Sequence, residues 1–456
     1  MMKHALNGIL VVLLLSCLLV PAVVSSRRLQ FAAAAPAQAN RAEVVFWHFW
    51  GGAELNVVEE VVRRFNASQT DYVVRAVAMP GNNLDLKLFL SLAGGNPPDV
   101  VNIDDPVLAD WAERQAILPL TEVASVSELE RLDRWLFPAA AKLTQYQGQA
   151  FGLCNGLDVR ALYYNKSLLD ELQFEPPQTM DQLDRIAATV SGQPDSPVDI
   201  GFLPAAKNLW GWGIVFGGRF YDETSQQVTL AAPEIAEAVE WMASYGKRYG
   251  KLAASLRARD QSLPGKTFPL LSGRYALVVD GQWRARDIRR FRAAQVAAGD
   301  PPTEFGVTPL PAAAGQVANA GWINGNYFVL PTGADQSHGA WQFMKFWAGF
   351  DGHEAEAAAT CETGGWIPVS QFVVDQPAFQ EYLASAPLFA TFIELAGSEL
   401  QVPRPNVPGA ARFDREVRAI AEQAMDPTNE RPAIELLETA NERLQSHVDF
   451  HRGVTE

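Results

Sequence analysis

Glu43-Val44-Val45-Phe46-Trp47-His48-Phe49-Trp50-Gly51-Gly52 decides how the rest of the chain is read. Its apolar run ends in a glycine pair, the pattern of a buried strand entering a turn. Leu55, Val58, Val62 and Phe65 follow at helical spacing. Residues 73–77 form a second apolar run. A helix over 84–92 is stopped by Gly94-Gly95, and 99–103 read as a third strand. Strand and helix in alternation predict a parallel sheet covered by helices, an α/β fold.

The same alternation continues outward. Tyr163-Tyr164 reads as the end of a short strand, followed by helices over 166–172 and 179–190, with Thr179 placed to cap the latter. Pro233 suits the first turn of a long amphipathic helix over 233–249. Strands are expected at 275–279 and 326–330, with a helix at 337–350. A C-terminal helix carries Ile434, Leu437 and Leu444 on one stripe. At 456 residues the chain exceeds one ordinary core, so two lobes are expected.

A net charge of -15 repels phosphate backbones and anionic lipid, which excludes nucleic acid as a partner. The first forty residues hold Lys3, Arg27 and Arg28 and no acid, so the remainder is more acidic still. Upstream, Lys3 and His4 precede an apolar run from Ile9 to Val24, broken by Ser16, Cys17 and Pro21. The run falls short of the ~20 residues of a bilayer span and has the layout of a secretory signal. Residues 1–42 therefore read as a signal peptide or an N-terminal anchor plus an Ala/Pro-rich linker. Cleavage, lipidation at Cys17 and retention all stay open. Cys154 and Cys361 complete the three cysteines, and no Cys/His spacing suggests a metal. No cofactor is expected.

Several segments together resemble the family 1 extracellular solute-binding proteins, the group that includes the maltose-binding and other sugar-binding components of ABC importers. The opening strand, turn and helix run from Phe46 to Ser68. Ala93-Gly94-Gly95-Asn96-Pro97-Pro98-Asp99-Val100 is similar to a family signature, as are Ala161-Leu162-Tyr163-Tyr164-Asn165-Lys166 and Pro176-Pro177-Gln178-Thr179. Leu271-Ser272-Gly273-Arg274, Asp280-Gly281-Gln282-Trp283 and Ala340-Trp341-Gln342-Phe343 follow in the family's order, over roughly 43–425. Cys154 and Met180 depart from the family's proline and tryptophan.

The resemblance implies a two-lobe periplasmic-binding-protein fold with three crossover hinge segments, near 152–158, 321–326 and 364–370. Residues 43–153 with 327–364 would form the N-terminal lobe, and 154–326 with 365–456 the C-terminal lobe. Gly156, Gly321, Gly325, Gly364 and Gly365 would suit segments that rotate. Cys154 and Cys361 would lie close together, either bridged or as two buried thiols. The implied function is capture of a small ligand, a sugar, in the interlobe cleft. Delivery would go to the transmembrane subunits of an ABC importer, by a monomer outside the cytoplasmic membrane, in the periplasm or at the cell surface. No enzyme activity is implied.

A sugar presents apolar C–H faces and a rim of hydroxyls, and is held by flat aromatics and by carboxylates, amides and guanidiniums. The chain has twelve tryptophans. Trp111, Trp135, Trp241, Trp341 and Trp347 read as core. Those near glycines at strand ends are candidates for the cleft. The resemblance places Trp283 as a stacking platform and Asp158 as an acidic cleft residue. Asp104, Asp105, His48, Phe49, Trp50, Trp210, Trp212, Trp322, Asn324 and Arg404 complete the candidate ligand-binding set. No Arg/Lys cluster stands out among them, which argues against a phosphate ligand. A secreted glycoside hydrolase and the ligand-binding part of a membrane sensor are the rival readings. Leu263-Pro264-Gly265-Lys266-Thr267 resembles a phosphate loop but has Asp260 where its first glycine belongs.

Overall fold

The computed structural model of the protein describes residues 41–79, 84–104, 106–191, 199–262 and 268–451. The signal or anchor segment up to residue 40, Asp105 and the stretch 263–267 lie outside the described residues. Among the described residues no helix is long and apolar enough to cross a membrane.

The opening stretch folds as read. Strand β1 (Ala42–His48) lies between β2 (Tyr72–Ala78) and β3 (Val100–Ile103), all parallel, with Val44 opposite Val74 and Phe46 opposite Val100. The connecting helices, Ala53–Ser68 and Leu84–Ala93, cover this sheet. Asp99 of the Pro-Pro-Asp signature has a structural task. Its carboxylate accepts from Val45 N at 2.7 Å and from Gln336 N at 2.8 Å. It thereby ties β1 to the entry of the helix Ser337–Ala348.

Two small hairpins, β4 (Gln145–Tyr146) with β5 (Gln149–Ala150) and β7 (Tyr221–Asp222) with β8 (Gln227–Val228), flank the long strand β6 (Gly152–Asn165) in sequence. β9 (Leu277–Gly281), β10 (Phe305–Thr308), β11 (Gly321–Val329) and β12 (Gln401–Val402) follow. The main sheet runs β10-β6-β11-β3-β1-β2, with β9 on the other edge of β6 and β12 joined to β11. Here the sequence reading needs correction: β6 is fourteen residues long, not a short strand ending at Tyr164, and β11 begins at Gly321, not Asn326. Most of β6 is buried on both faces, so it lacks the alternation that marks a strand, and its polar residues break the apolar run.

That length serves a purpose, because both strands change partners along their course. The first half of β6 pairs with β11, and its second half lies between β9 and β10. β11 pairs with β12 at Gly321 and Trp322, then with β3 from Tyr327 to Val329. The segment around Ile367 joins β6 through Leu157 N, which donates to Ile367 O at 3.0 Å. The three expected crossings therefore lie side by side. Gly325 is glycine because a Cβ there would sit 2.6 Å from Gly156 O. At Gly365 the reason is backbone conformation: its φ of 65° ends the helix Glu354–Gly364 in the left-handed region.

Apolar packing divides into two large clusters. One gathers Phe46, Val58, Phe65, Trp341, Phe343 and Trp347 around the parallel strands, and extends through β6 to Phe389 and Phe392. The other gathers Trp210, Trp212, Tyr245 and the stripe Leu436, Leu437, Ala440 and Leu444 of the C-terminal helix. Ile434 is only half-buried, so Leu436 takes the place on that stripe that the spacing gave it. Trp111, Trp135, Trp341 and Trp347 are core as expected, and Trp241 is half-buried with its indole N–H on Asp184. Thr179 does accept from Gln182 N, capping Met180–Ser191. Cys154 and Cys361 are both buried free thiols, not a bridge.

Candidate ligand-binding cleft

Side-chain alternation on β6 and β11 builds the site. Asp158 and Asn324 are directly paired across the two strands. Residues two apart share a face, so Arg160 joins Asp158 and Trp322 joins Asn324. β9 meets β6 with Gly281 opposite Arg160, and Trp283 follows two residues later. β12 meets β11 with Val402 opposite Trp322, and Arg404 follows two residues later. Four adjacent strands thus each contribute one side chain to a row.

The row is a stack of alternating indoles and guanidiniums. Arg160 lies between Trp283 and Trp322, its Cζ 4.8 and 4.9 Å from the two ring centres. Arg404 covers the same Trp322 at 4.6 Å and reaches Trp210 at 5.8 Å. Such cation–π contacts lie within the ~6 Å range where the ring quadrupole attracts a cation. Asp414 fixes the far end, accepting from Arg404 at 2.9 Å and from the Trp210 indole N–H at 2.9 Å. Asp158 pairs with Arg160 at 3.3 Å.

The turn that carries Trp283 is anchored to β6. Gln282 is buried; its amide donates to Leu157 O at 3.1 Å and its carbonyl accepts from Val159 N at 3.4 Å. Arg284 on the next turn pairs with Asp280 and Asp287, each at 2.8 Å.

The candidates named from sequence separate by burial. Trp283, Asp158, Asn324 and Arg404 are partly exposed and belong to this wall, and Asp104 is exposed beside it, its carbonyl accepting from the Asn324 amide at 3.4 Å. Trp322 is buried between its two guanidiniums, and Trp210 is buried against Phe220 and Phe413. Trp212 is fully buried beside Phe202 and Trp241, so it is a core residue and not a rim residue. His48 and Trp50 also turn inward, because they continue the buried face of Val44 and Phe46; Trp50 packs in a cluster with Trp347 and Trp366, 5.4 and 5.3 Å from their ring centres. Phe49, on the other face, is half-buried. Asp105 lies outside the described residues.

Three residues of the wall escaped the sequence reading: Arg160, Asp414 and Lys207. Asp158-Val159-Arg160, two charges at strand spacing inside an apolar run, was the available signal for the first. Lys207, in the turn before the helix Leu209–Val215, is solvent-exposed yet densely surrounded. Desolvation lowers its pKa, Asp280 opposes that shift, and Arg160, Arg284 and Arg418 add to it. The wall is accordingly more basic than the candidate set implied. Among the described residues no group of His, Cys, Asp and Glu could hold a metal ion.

Two recesses lie in this half of the chain's surface, the first touching the row at Arg404. One of about 370 Å³ lies between the β4–β5 hairpin, the β7–β8 hairpin and the segment 402–408, and includes Arg404. Another of about 440 Å³ lies between Phe89, Asp110 and Trp111 on one side and Arg412, Arg415 and His447 on the other.

Comparison with known proteins agrees with this architecture. Residues 60–387, well over half of the chain, match the family of bacterial extracellular solute-binding proteins. The maltotriose-binding protein of Pyrococcus abyssi (strain GE5 / Orsay) is 23% identical over 346 residues, 75% of this chain and 69% of that protein. Among solved structures, the cyclic alpha-maltosyl-1,6-maltose binding protein of Arthrobacter globiformis superposes with a TM-score of 0.71 at 20% identity, covering 90% of this chain and 100% of that one. The sugar-binding protein MalE of Xanthomonas citri gives 0.71 at 18% identity, covering 91% and 99%. With the fold of those two-lobe proteins and the family match over its central part, this chain belongs to the bacterial extracellular solute-binding proteins.

Proposed function

We propose that the protein captures a carbohydrate in the cleft bordered by the indole–guanidinium row and hands it, unaltered, to the transmembrane subunits of an ABC importer. The observation that carries this reading is the row itself. Trp283 is its only half-buried indole; it stacks on Arg160, which pairs with the carboxylate of Asp158, and Asp158 lies opposite the amide of Asn324. A flat apolar face next to hydroxyl-binding groups is the chemistry a sugar needs. The relatives named above are described as binders of maltotriose, a cyclic maltose derivative and sugar, which supports the same ligand class. Export through the N-terminal signal or anchor, a monomeric state, and lobes of 43–153 with 327–364 and 154–326 with 365–456 belong to this reading.

A thermal-shift screen against mono- and oligosaccharides tests it. A ligand at about a hundred times its Kd adds about 2.7 kcal/mol to stability, which such a screen resolves. Each oligosaccharide that binds is then incubated with the protein and recovered. Intact recovery fits a carrier, whereas shortened products establish the hydrolase instead. A panel without a single stabilising sugar overturns the carbohydrate assignment.

A further inference from the structure

We infer that Gln282 is a positioning residue for the ligand: its amide holds Asp158 and Trp283 at one fixed spacing. The inference rests on the carbohydrate reading and adds to it a residue that acts through two others. Its first support is the place where the ladder between β9 and β6 stops. The two strands pair from Leu277 opposite Tyr164 to Gly281 opposite Arg160. Past Gly281 the chain turns into the helix Arg284–Ala298, and among the described residues β9 pairs no further along β6. The Gln282 side chain takes over that edge. Its amide donates to Leu157 O at 3.1 Å and accepts from Val159 N at a longer 3.4 Å. The carbonyl before a residue and the N–H after it are the pair that one residue of a parallel neighbour strand engages. Here the residue between them is Asp158. The amide thus holds the peptide planes on both sides of Asp158, and with them the direction of its side chain.

The second support is how firmly the other end is held. Gln282 is 4% exposed, so water does not compete for its bonds. The preceding residue is pinned as well, since the buried Tyr163 hydroxyl donates to Gly281 O at 3.0 Å. Trp283 follows Gln282 directly, and its backbone is already helical. Carboxylate and indole therefore cannot move apart without leaving a buried carbonyl and a buried N–H unpaired, which is costly. A sugar that stacks on Trp283 and bonds Asp158 needs both groups in place to within about 0.5 Å.

The test uses the whole protein, titrated calorimetrically with the tightest binder in a panel of glucose, galactose and mannose mono- to pentasaccharides. Gln282→Met keeps the length of the side chain and removes both bonds. It should weaken binding about tenfold in the native protein but less than about twofold in Trp283→Ala, because only an indole that is present can be misplaced. Gln282→Glu gives an independent reading. Its carboxylate still accepts from Val159 N but opposes Leu157 O, and its acid form donates there again. Burial favours that acid form, so the affinity of Gln282→Glu relative to the native protein should recover as pH falls from about 8 to 5. Asp158 and Arg160 on β6, and Asp280, Arg284 and Asp287 beside Gln282, are common to both proteins and cancel in that ratio. Native-like affinity in Gln282→Met, or equal losses in both backgrounds, overturns the positioning role and leaves the carbohydrate reading standing. If Gln282→Met does not fold, a flat ratio for Gln282→Glu overturns it alone. A panel in which no sugar binds overturns both readings.

Discussion

Replacing Trp283 by alanine removes the one indole of the row that a ligand can reach without displacing core. On the protein's own side the loss is modest. The ring is half-buried, stacks on Arg160 at 4.8 Å, and folds so closely over its own turn that a Cβ on Gly281 would lie 2.2 Å from Trp283 Cζ3. A cation–π contact is worth about 0.5–1 kcal/mol when exposed and about 2 kcal/mol when desolvated. In a lobe of roughly 150–250 residues, where 1 kcal/mol moves the thermal midpoint by about 2–4 °C, that is a shift of about 1–8 °C. On the ligand side the loss is larger. A sugar face laid on the indole buries about 80 Å² of apolar surface, and ~25 cal/mol per Å² makes that about 2 kcal/mol. Each 1.4 kcal/mol is about tenfold, so affinity should fall roughly 30-fold. Trp322→Ala is the matched control, since Trp322 is 4% exposed and covered by two guanidiniums, and truncating a core tryptophan costs about 3–5 kcal/mol. Calorimetric titration with the ligand found by screening, together with thermal unfolding of both variants, separates the two effects. Retained affinity in Trp283→Ala with a midpoint loss rivalling Trp322→Ala would refute the reasoning and make Trp283 a structural residue.

Ligand should also draw the lobes together, reducing the radius of gyration in solution scattering; an unchanged curve at saturation removes the hinge from the account. Burial pushes both Cys154 and Cys361 up to about 12, so neither thiol should react with a disulfide reagent in the native protein at neutral pH. Both should react once the chain without its N-terminal segment is denatured unreduced, and fewer than two would establish a bridge. Desolvation pushes His48 down to about 4. The unfolded chain then binds a proton below about 6.5 that the folded protein refuses, so stability falls as pH drops from about 6.5 to 4, by up to about 1.4 kcal/mol per pH unit. His48→Gln should flatten that slope, and equal slopes in both proteins would exclude His48 as its source.

The parallel strands were legible because their sequence is local and periodic. β1 to β3 and the helices between them follow directly from apolar spacing and glycine stops. β6 and β11 were legible only at one end. Each is shared by two sets of neighbours, so burial on both faces erases the alternation on which a strand reading depends. The site divides for the same reason. Trp283 and Asp158 were named as candidates from motifs, whereas Arg160 takes its place in the row only when strands far apart in sequence lie side by side. His48 and Trp50 show the converse failure. A Gly-Gly turn marks the end of a strand, but it does not say that the residues before it face inward, Trp50 against Trp347 and Trp366 and His48 against Phe46 and Trp50.

The row of indoles and guanidiniums stands where β6 exchanges its neighbours. From Leu162 to Tyr164 β6 has strands on both edges, β9 on one and β10 on the other. At Leu157 and Val159 one edge still carries β11, but among the described residues the other is held only by the bond from Leu157 N to Ile367 O and by the two side-chain bonds of Gln282. A side-chain amide follows a bending strand more readily than a second backbone does. If the lobes turn about β6, bending would therefore cost least next to Asp158 and Arg160, and the candidate ligand residues would sit on the part of the backbone that turns. The connection runs through Gln282 as well, because the residue that braces β6 directly precedes Trp283. A ligand that stacks on Trp283 while it bonds Asp158 or Arg160 fixes both sides of this brace at once. Such a ligand would stabilise one angle between the halves of β6 over the others, and binding energy would thereby become a change in lobe orientation.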